Sequence, residues 1–275
     1  MRTQIGGVAV SPDTYQIVGS VGSQSEAKLL ANRPTIQQAT DIVEIKCDEL
    51  VGDSPEQVVE EARDITDTLS TIGKDLPTIG VVRKQMDGGG WDSDSQSESK
   101  RSEILKKISK FVDAIDVEYE ADEIYDEVVS AAKSEGVTVI VSHHDFMGTP
   151  TTEDIDNQIK SIQRKRSDIV KLAYFAESQN DMDRLKTSII NHVRTKSGNK
   201  PLIAISMGET GKQSRVDFPL LGSCLTYGFL PDGIAKAPGQ YSVTELKKRI
   251  NNRSSSKSSK FDNDQVSSDG AKVGR

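Results

Sequence analysis

The stretch DIVEIKCDELVGDSPEQVVEEARDITDTLSTIGKDLPTIGVVR, residues 41–83, contains one strand–helix–strand unit. Residues 41–47 form a short, largely apolar run. Ser54 then offers an N-cap with Pro55 at the first helical position, and Val58, Val59, Ala62, Ile65 and Leu69 recur at helical spacing up to residue 71. Residues 78–83 return to an Ile- and Val-rich run. Short, continuously apolar runs separated by an amphipathic helix are the pattern of parallel strands buried on both faces.

The same alternation extends in both directions. Further strand-like runs lie at 15–21, 114–119, 138–143, 168–173, 202–207 and 223–227. Helical patterns lie at 26–32, 100–111, 121–134, 154–164, 179–194 and 244–250. Eight strands exceed the five or six usual in an open doubly wound sheet. Closure into a (β/α)8 TIM barrel removes the exposed edges, so an α/β barrel is the expected fold. The seventh crossover, 210–222, has little helical periodicity. The barrel is expected to fill residues 1–250 as a single catalytic domain.

Two segments depart from the pattern. Residues 88–100, GGGWDSDSQSESK, form a Gly- and Ser-rich loop with the only tryptophan, and read either as a disordered insertion or as a flap over a site. Residues 251–275 contain seven serines and few apolar residues, and are expected to be a disordered tail.

Composition narrows the function. The chain has 275 residues, 35% hydrophobic but only 5% aromatic, so its core must be built from Ile, Val, Leu and Ala. Lys and Arg total 35 against 42 Asp and Glu, a net charge of −7 that disfavours non-specific nucleic-acid binding. No run approaches the ~20 apolar residues of a membrane span, and the first residues carry no secretory pattern. Cys47 and Cys224 sit in apolar runs, consistent with reduced thiols and a cytoplasmic location. His143, His144 and His192 are the only histidines, too few to assemble the usual zinc centre easily.

In a parallel barrel, chemistry sits on polar residues at the C-terminal ends of strands. The second strand carries Glu44, Lys46 and Asp48. The third ends in Arg83, followed by Asp87, and the fifth ends in SHHD, residues 142–145. The sixth reads DIVKLAYF, with Lys171 inside an apolar run. A desolvated lysine is a nucleophile toward carbonyls; alternatively its stem lies along the barrel and its ammonium meets solvent or a carboxylate. His144 can transfer protons near neutral pH, and Asp87 could orient it. Strand alternation allows at most one of His143 and His144 to face the lumen. Arg215 has a bidentate fork suited to a carboxylate, or is a solvated surface charge. Gln240 lies in the turn-rich segment AKAPGQYSV, residues 235–243.

Taken together, DIVEIKCD (41–48), VVRKQMDGG (81–89), SHHDFMGTP (142–150), DIVKLA (168–173), SMGETGKQSR (206–215), GSCLTYG (222–228) and APGQYSV (237–243) resemble the type I 3-dehydroquinate dehydratase family. The resemblance spans about residues 15–250. It implies a (β/α)8 barrel, a homodimer, no metal or organic cofactor, and dehydration of 3-dehydroquinate to 3-dehydroshikimate in the shikimate pathway of aromatic amino acid biosynthesis. It also implies Lys171 as the Schiff-base nucleophile, His144 as proton donor and acceptor, and Asp87 as the residue orienting His144. Arg215 and Gln240 would hold the carboxylate and a hydroxyl, Glu44 and Lys46 the ring hydroxyls, and Arg83 would support the site electrostatically. Three positions depart from the family's common pattern: Lys46 replaces an arginine, Asp87 a glutamate, and Lys236 a small hydroxyl residue. Lys236 could pair with the substrate carboxylate or add a cation near the imine. Two other functions fit subsets of these residues: a class I aldolase acting on a sugar phosphate, and a non-catalytic barrel that binds a carboxylate ligand.

Overall fold

The computed structural model describes residues 3–52, 54–92, 97–195 and 200–266, with side chains described up to residue 255. Eight parallel strands form the barrel: β1 (Gln16–Val21), β2 (Ile42–Lys46), β3 (Thr78–Val81), β4 (Ala114–Glu118), β5 (Thr138–Asp145), β6 (Ile169–Phe175), β7 (Leu202–Met207) and β8 (Leu225–Phe229). Each pairs with its predecessor from β2 to β7, and β8 pairs with β1 through partners such as Leu225 with Gln16. The β7–β8 seam is held by a parallel bridge between Leu202 and Ser223, where the Cys224 amide donates to the Leu202 carbonyl at 2.9 Å. The sheet is thus a nearly closed TIM-type barrel, as expected from eight alternating units.

Around it lie α1 (Gln24–Asn32), α2 (Pro34–Ala39), α3 (Pro55–Ser70), α4 (Glu98–Ile108), α5 (Tyr125–Ser134), α6 (Thr152–Arg164), α7 (Gln179–Arg194), α8 (Gly208–Gly211), α9 (Ser214–Asp217) and α10 (Val243–Val266). Ser54 caps α3 as its sequence predicts, in a reciprocal capping box with Gln57. The seventh crossover lacks periodicity because it is broken into α8, α9 and a 3-10 turn at Pro219–Leu221, each too short to repeat an apolar face. α10 runs on to Val266 through a stretch with no proline or glycine to stop it. Residues 267–275 lie outside the described residues.

Strand alternation divides the core. Outward residues such as Val43, Ile45, Val117, Val139, Val170 and Leu172 pack under the helices. Inward residues Val18, Ile42, Ile79, Ala114, Ile140, Ile169, Ile203 and Leu225 fill the lower lumen. An N-terminal hairpin, Gln4–Ile5 against Val8–Ala9, plugs that end with buried Ile5. Thr138 Oγ1 anchors it by donating to the Gln4 carbonyl at 2.6 Å. The charged residues of the lumen lie toward the opposite, C-terminal end. Among the described residues, no helix is long and apolar enough to cross a membrane.

The 88–100 loop is tied down over its described N-terminal part. Trp91 is buried, its amide donates to the Arg83 carbonyl at 3.0 Å, and its carbonyl accepts from the Gln85 amide at 2.8 Å. Residues 93–96 lie outside the described residues, and α4 begins at Glu98.

Candidate active site

The period of two along each strand places the functional side chains. On β6, Ile169, Lys171 and Ala173 face inward, while Val170, Leu172 and Tyr174 face the helices. Lys171 is thus an inward residue one layer above the apolar floor, and only 4% of it is exposed. The same alternation turns Glu44 and Lys46 on β2, Asp116 and Glu118 on β4, and Ser142 and His144 on β5 toward the lumen. His143 points the other way, with Nδ1 against Glu120 and its ring edge-on to Tyr174. Of the two adjacent histidines only His144 lines the cavity.

One cavity at this end of the barrel is lined by all nine candidate residues: Glu44, Lys46, Arg83, Asp87, His144, Lys171, Arg215, Lys236 and Gln240. Phe146, Met207 and Tyr227 contribute apolar surface. Among the described residues, no group of three His, Cys, Asp or Glu side chains converges as a metal cradle would.

The floor is organised by Asp116. Its Oδ2 accepts from Lys171 Nζ at 2.7 Å and from Arg83 Nη2 at 2.6 Å, and its Oδ1 accepts from Ser142 Oγ at 2.6 Å. Glu44 Oε1 lies 3.8 Å from Lys171 Nζ, and its Oε2 accepts from Ser20 Oγ at 2.9 Å. Burial favours a neutral Asp116, but Arg83 and Lys171 overcome it and hold the carboxyl well below the usual range. The Tyr227 ring centroid is 4.3 Å from Lys171 Nζ, so the ammonium rests on an aromatic face.

His144 Nδ1 lies 3.2 Å from Arg83 Nη1. A guanidinium only donates, so this nitrogen accepts and the neutral ring carries its proton on Nε2. Burial, Arg83 and Lys171 all lower the His144 pKa well below 6.5, leaving the ring neutral at pH 7. Asp87 lines the same cavity but makes no hydrogen bond to His144; the ring's partner is Arg83. Burial, with the nearby Glu118 carboxylate, raises the Asp87 pKa to about 6.

Arg215 is not a solvated charge. Only 2% of it is exposed, and it has no carboxylate partner among the described residues. Its Nε and Nη2 donate to the carbonyls of Gly239 at 3.0 Å and Pro238 at 3.2 Å. Burial without a counter-ion lowers its pKa to about 10. Lys171, Arg83, Lys46 and Lys236 each have a carboxylate within 3.2 Å, so among the described residues Arg215 is the lining guanidinium or ammonium left to receive an anion. Its position depends on α9, where Ser214 Oγ accepts from the Ser206 amide at 3.0 Å. The facing turn requires glycine: Gly239 has φ +72°, and a Cβ there would lie 2.1 Å from the Gly208 carbonyl oxygen.

Gln240 Oε1 accepts from the Lys236 amide at 2.8 Å, which leaves the Gln240 amide nitrogen as the donor available to a ligand. Lys46 Nζ is 3.2 Å from Asp48, and Lys236 Nζ is 2.7 Å from Glu49 and 3.1 Å from Glu26. Asp116 and Tyr227 were not among the sequence candidates, and Ser142 entered only as part of the SHHD strand end. The signal for Asp116 is in AIDVEYE, residues 114–120, where polar residues alternate along an apolar run just as Glu44 and Lys46 do on β2.

Residues 17–257 match the family model described as Type I 3-dehydroquinase. The chain is similar to a 3-dehydroquinate dehydratase of Methanosarcina acetivorans, 32% identical over 225 residues that cover 81% of this chain and 89% of that one. A second, from Methanococcoides burtonii, is 33% identical over 231 residues, covering 84% and 92%. Among solved structures, the type I 3-dehydroquinate dehydratase of Clostridium difficile, crystallised with covalently modified comenic acid, aligns with a TM-score of 0.78. It shows 28% identity over 93% of this chain and 98% of that one.

Proposed function

The chain belongs to the type I 3-dehydroquinase family, and from that premise we propose how its own residues dehydrate 3-dehydroquinate to 3-dehydroshikimate. The activity is that of a carbon–oxygen lyase of the shikimate pathway, working through a Schiff base.

Lys171 is the nucleophile. Its ammonium first passes a proton to neutral His144; the free amine adds to the ring ketone, and His144 returns that proton to the carbinolamine hydroxyl, which leaves as water to give a protonated imine, the electron sink. His144 then removes a proton from the adjacent carbon, and the C–H electron pair moves into an enamine. Collapse of the enamine expels the β-hydroxyl as water, with His144 returning a proton to it, and regenerates a conjugated imine. Hydrolysis releases product and Lys171, so one water is lost overall. In the ligand-free arrangement the His144 Nδ1 lone pair is engaged by Arg83. That contact must yield, or the ring must turn, before His144 can accept a proton. A substrate oxygen that draws the guanidinium releases it.

Arg215 receives the substrate carboxylate, and its burial without a carboxylate partner is the observation that carries this reading. Gln240, Glu44 and Lys46 take the hydroxyls. Arg83 balances the floor. Asp87, with its pKa of about 6, lines the cavity as a titrating carboxyl and makes no hydrogen bond to His144. We assign catalysis to a single barrel domain, residues 1–250. The two unpaired, buried cysteines support a cytoplasmic setting, and the family resemblance supports a homodimer, which sedimentation analysis tests directly.

The decisive experiment mixes the protein with 3-dehydroquinate, with and without borohydride. Ultraviolet absorbance follows the conjugated product, and peptide mass spectrometry locates any reduced adduct. Turnover with an adduct on Lys171 is expected. Turnover without an adduct removes the covalent account, and an adduct without turnover indicts the acid–base step. Neither product nor adduct from folded protein would favour the non-catalytic, carboxylate-binding barrel.

A further inference from the structure

Two lysines that line the cavity share a carboxylate with no role in the reaction just described. Glu49 follows β2 in a turn closed by its amide donating to the Lys46 carbonyl at 3.0 Å. Its Oε2 is 2.7 Å from Lys236 Nζ, and its Oε1 is 3.6 Å from Lys46 Nζ. It therefore bridges two cavity-lining ammonium groups, one from the second strand and one from the segment after the eighth. Glu26, in the first turn of α1, adds a second partner to Lys236 at 3.1 Å, while its other oxygen accepts from the Gly22 amide at 2.6 Å. The seat is shaped for Glu49: a Cβ on Gly22 would lie 2.1 Å from Glu49 Oε2.

The segment anchored in this way is the one that completes the site. The Lys236 amide fixes Gln240, and the Pro238 and Gly239 carbonyls receive Arg215. Lys236 is thus held by acids on the β1–β2 side and its segment by Arg215 on the β7 side, closing it across the cavity. Resting on the dehydratase reading of the site, we propose that Glu49 is a positioning residue. It clasps Lys46 and Lys236, keeps the Lys236–Gln240 segment closed, and holds the Lys236 ammonium back from the imine. Its side chain is 28% exposed and that of Lys236 14%, so salt can reach the clasp and weaken it.

The test compares wild type, E49Q, E49D and G22A. Glu49→Gln keeps the size and removes the charge. Loss of a partly exposed ion pair opens the segment more often and raises KM roughly three- to five-fold, with kcat within about two-fold. Raising salt should increase the wild-type KM toward that of E49Q, while E49Q responds less. E49D, which keeps the charge, recovers part of the loss, and G22A reproduces E49Q by displacing the carboxylate. In an E49Q/K236M cycle the two changes should be non-additive. Amide hydrogen exchange of the 231–242 peptide in ligand-free protein should rise in E49Q and G22A, a readout that needs no turnover. Unchanged exchange in E49Q, or strict additivity with K236M, overturns the clasp. Failure of the wild type to turn over 3-dehydroquinate overturns the functional reading instead, and leaves the exchange result to decide the clasp.

Discussion

Asp116 Oδ2 lies 2.7 Å from Lys171 Nζ, and the same oxygen accepts from Arg83 at 2.6 Å. One buried carboxylate thus balances the nucleophile and the cation that touches His144. Removing its charge leaves two buried cations facing each other, and breaking such a pair from one side costs about 3–5 kcal/mol. Asp116→Asn should be destabilised by that order in urea at pH 7. The pH dependence follows from the lowered native pKa: the carboxylate's stabilisation is full above its unfolded value of about 3.9 and is lost as pH falls through the native value. The gap between wild type and D116N should therefore narrow below about pH 4. A gap constant from pH 7 to 3 would show that Asp116 acts through packing alone.

The barrel could be read from the chain because its strands are short, apolar and separated by capped helices, as residues 41–83 show. The crossover 210–222 could not, since α8, α9 and the turn after them are single turns with no repeating face. Lys171 stood out as a cation in an apolar run. Asp116 carried a similar signal but is surrounded by other acids in DVEYEADE, residues 116–123, which read as an ordinary polar strand end. The contact that places Arg83 rather than Asp87 on His144 joins residues 61 apart and has no local signature. Nor could the burial of Arg215 be seen, because it depends on α9 folding beneath the Pro238 and Gly239 turn.

Arg215 predicts a split between affinity and turnover. A charge-assisted contact to a carboxylate is worth about 1.5–3 kcal/mol, so Arg215→Gln should raise KM on the order of ten- to a hundred-fold, with a smaller fall in kcat. Thermal melts with a carboxylate analogue add a check independent of catalysis. The ligand should raise the wild-type melting temperature and leave that of R215Q nearly unmoved. An equal shift in both would place the carboxylate elsewhere in the cavity.

Lys171→Met removes the amine and should reduce kcat by at least about 10³-fold, with no borohydride-trapped adduct. The fold should survive, because methionine fits the stem between Ile169 and Ala173. Trapping on another lysine with turnover intact would transfer the nucleophile's role.

His144 titrates below 6.5 because burial and two cations oppose its protonation. The base is therefore in its working form through neutral pH, and the acid limb of kcat/KM should lie below about pH 6.5. His144→Asn should lower kcat by about 10²–10⁴-fold. Replacing Arg83 with Gln removes a cation, so the His144 pKa rises and the limb moves to higher pH. This is best read in an Asp87→Asn background, which eliminates the cavity carboxyl that titrates at about 6. A limb that stays in place in R83Q would mean that another group controls it.

Asp87 carries the opposite linkage to Asp116. Its native pKa of about 6 exceeds the unfolded value, so the native state holds this proton more tightly. Its ionisation then costs stability as pH rises from about 4 to 6. Asp87→Asn removes that cost. The variant should be more stable than wild type at pH 7.5 and close to it at pH 4, measured by urea midpoints at both values. The comparison between variants isolates Asp87, since Asp116 contributes equally to each curve. The source of the penalty is burial together with the Glu118 carboxylate, which Arg101 holds at 2.6 Å. Neutralising Glu118 by Gln should therefore lower the Asp87 pKa and shrink the benefit of D87N. If D87N gains as much in the E118Q background, burial alone sets the shift.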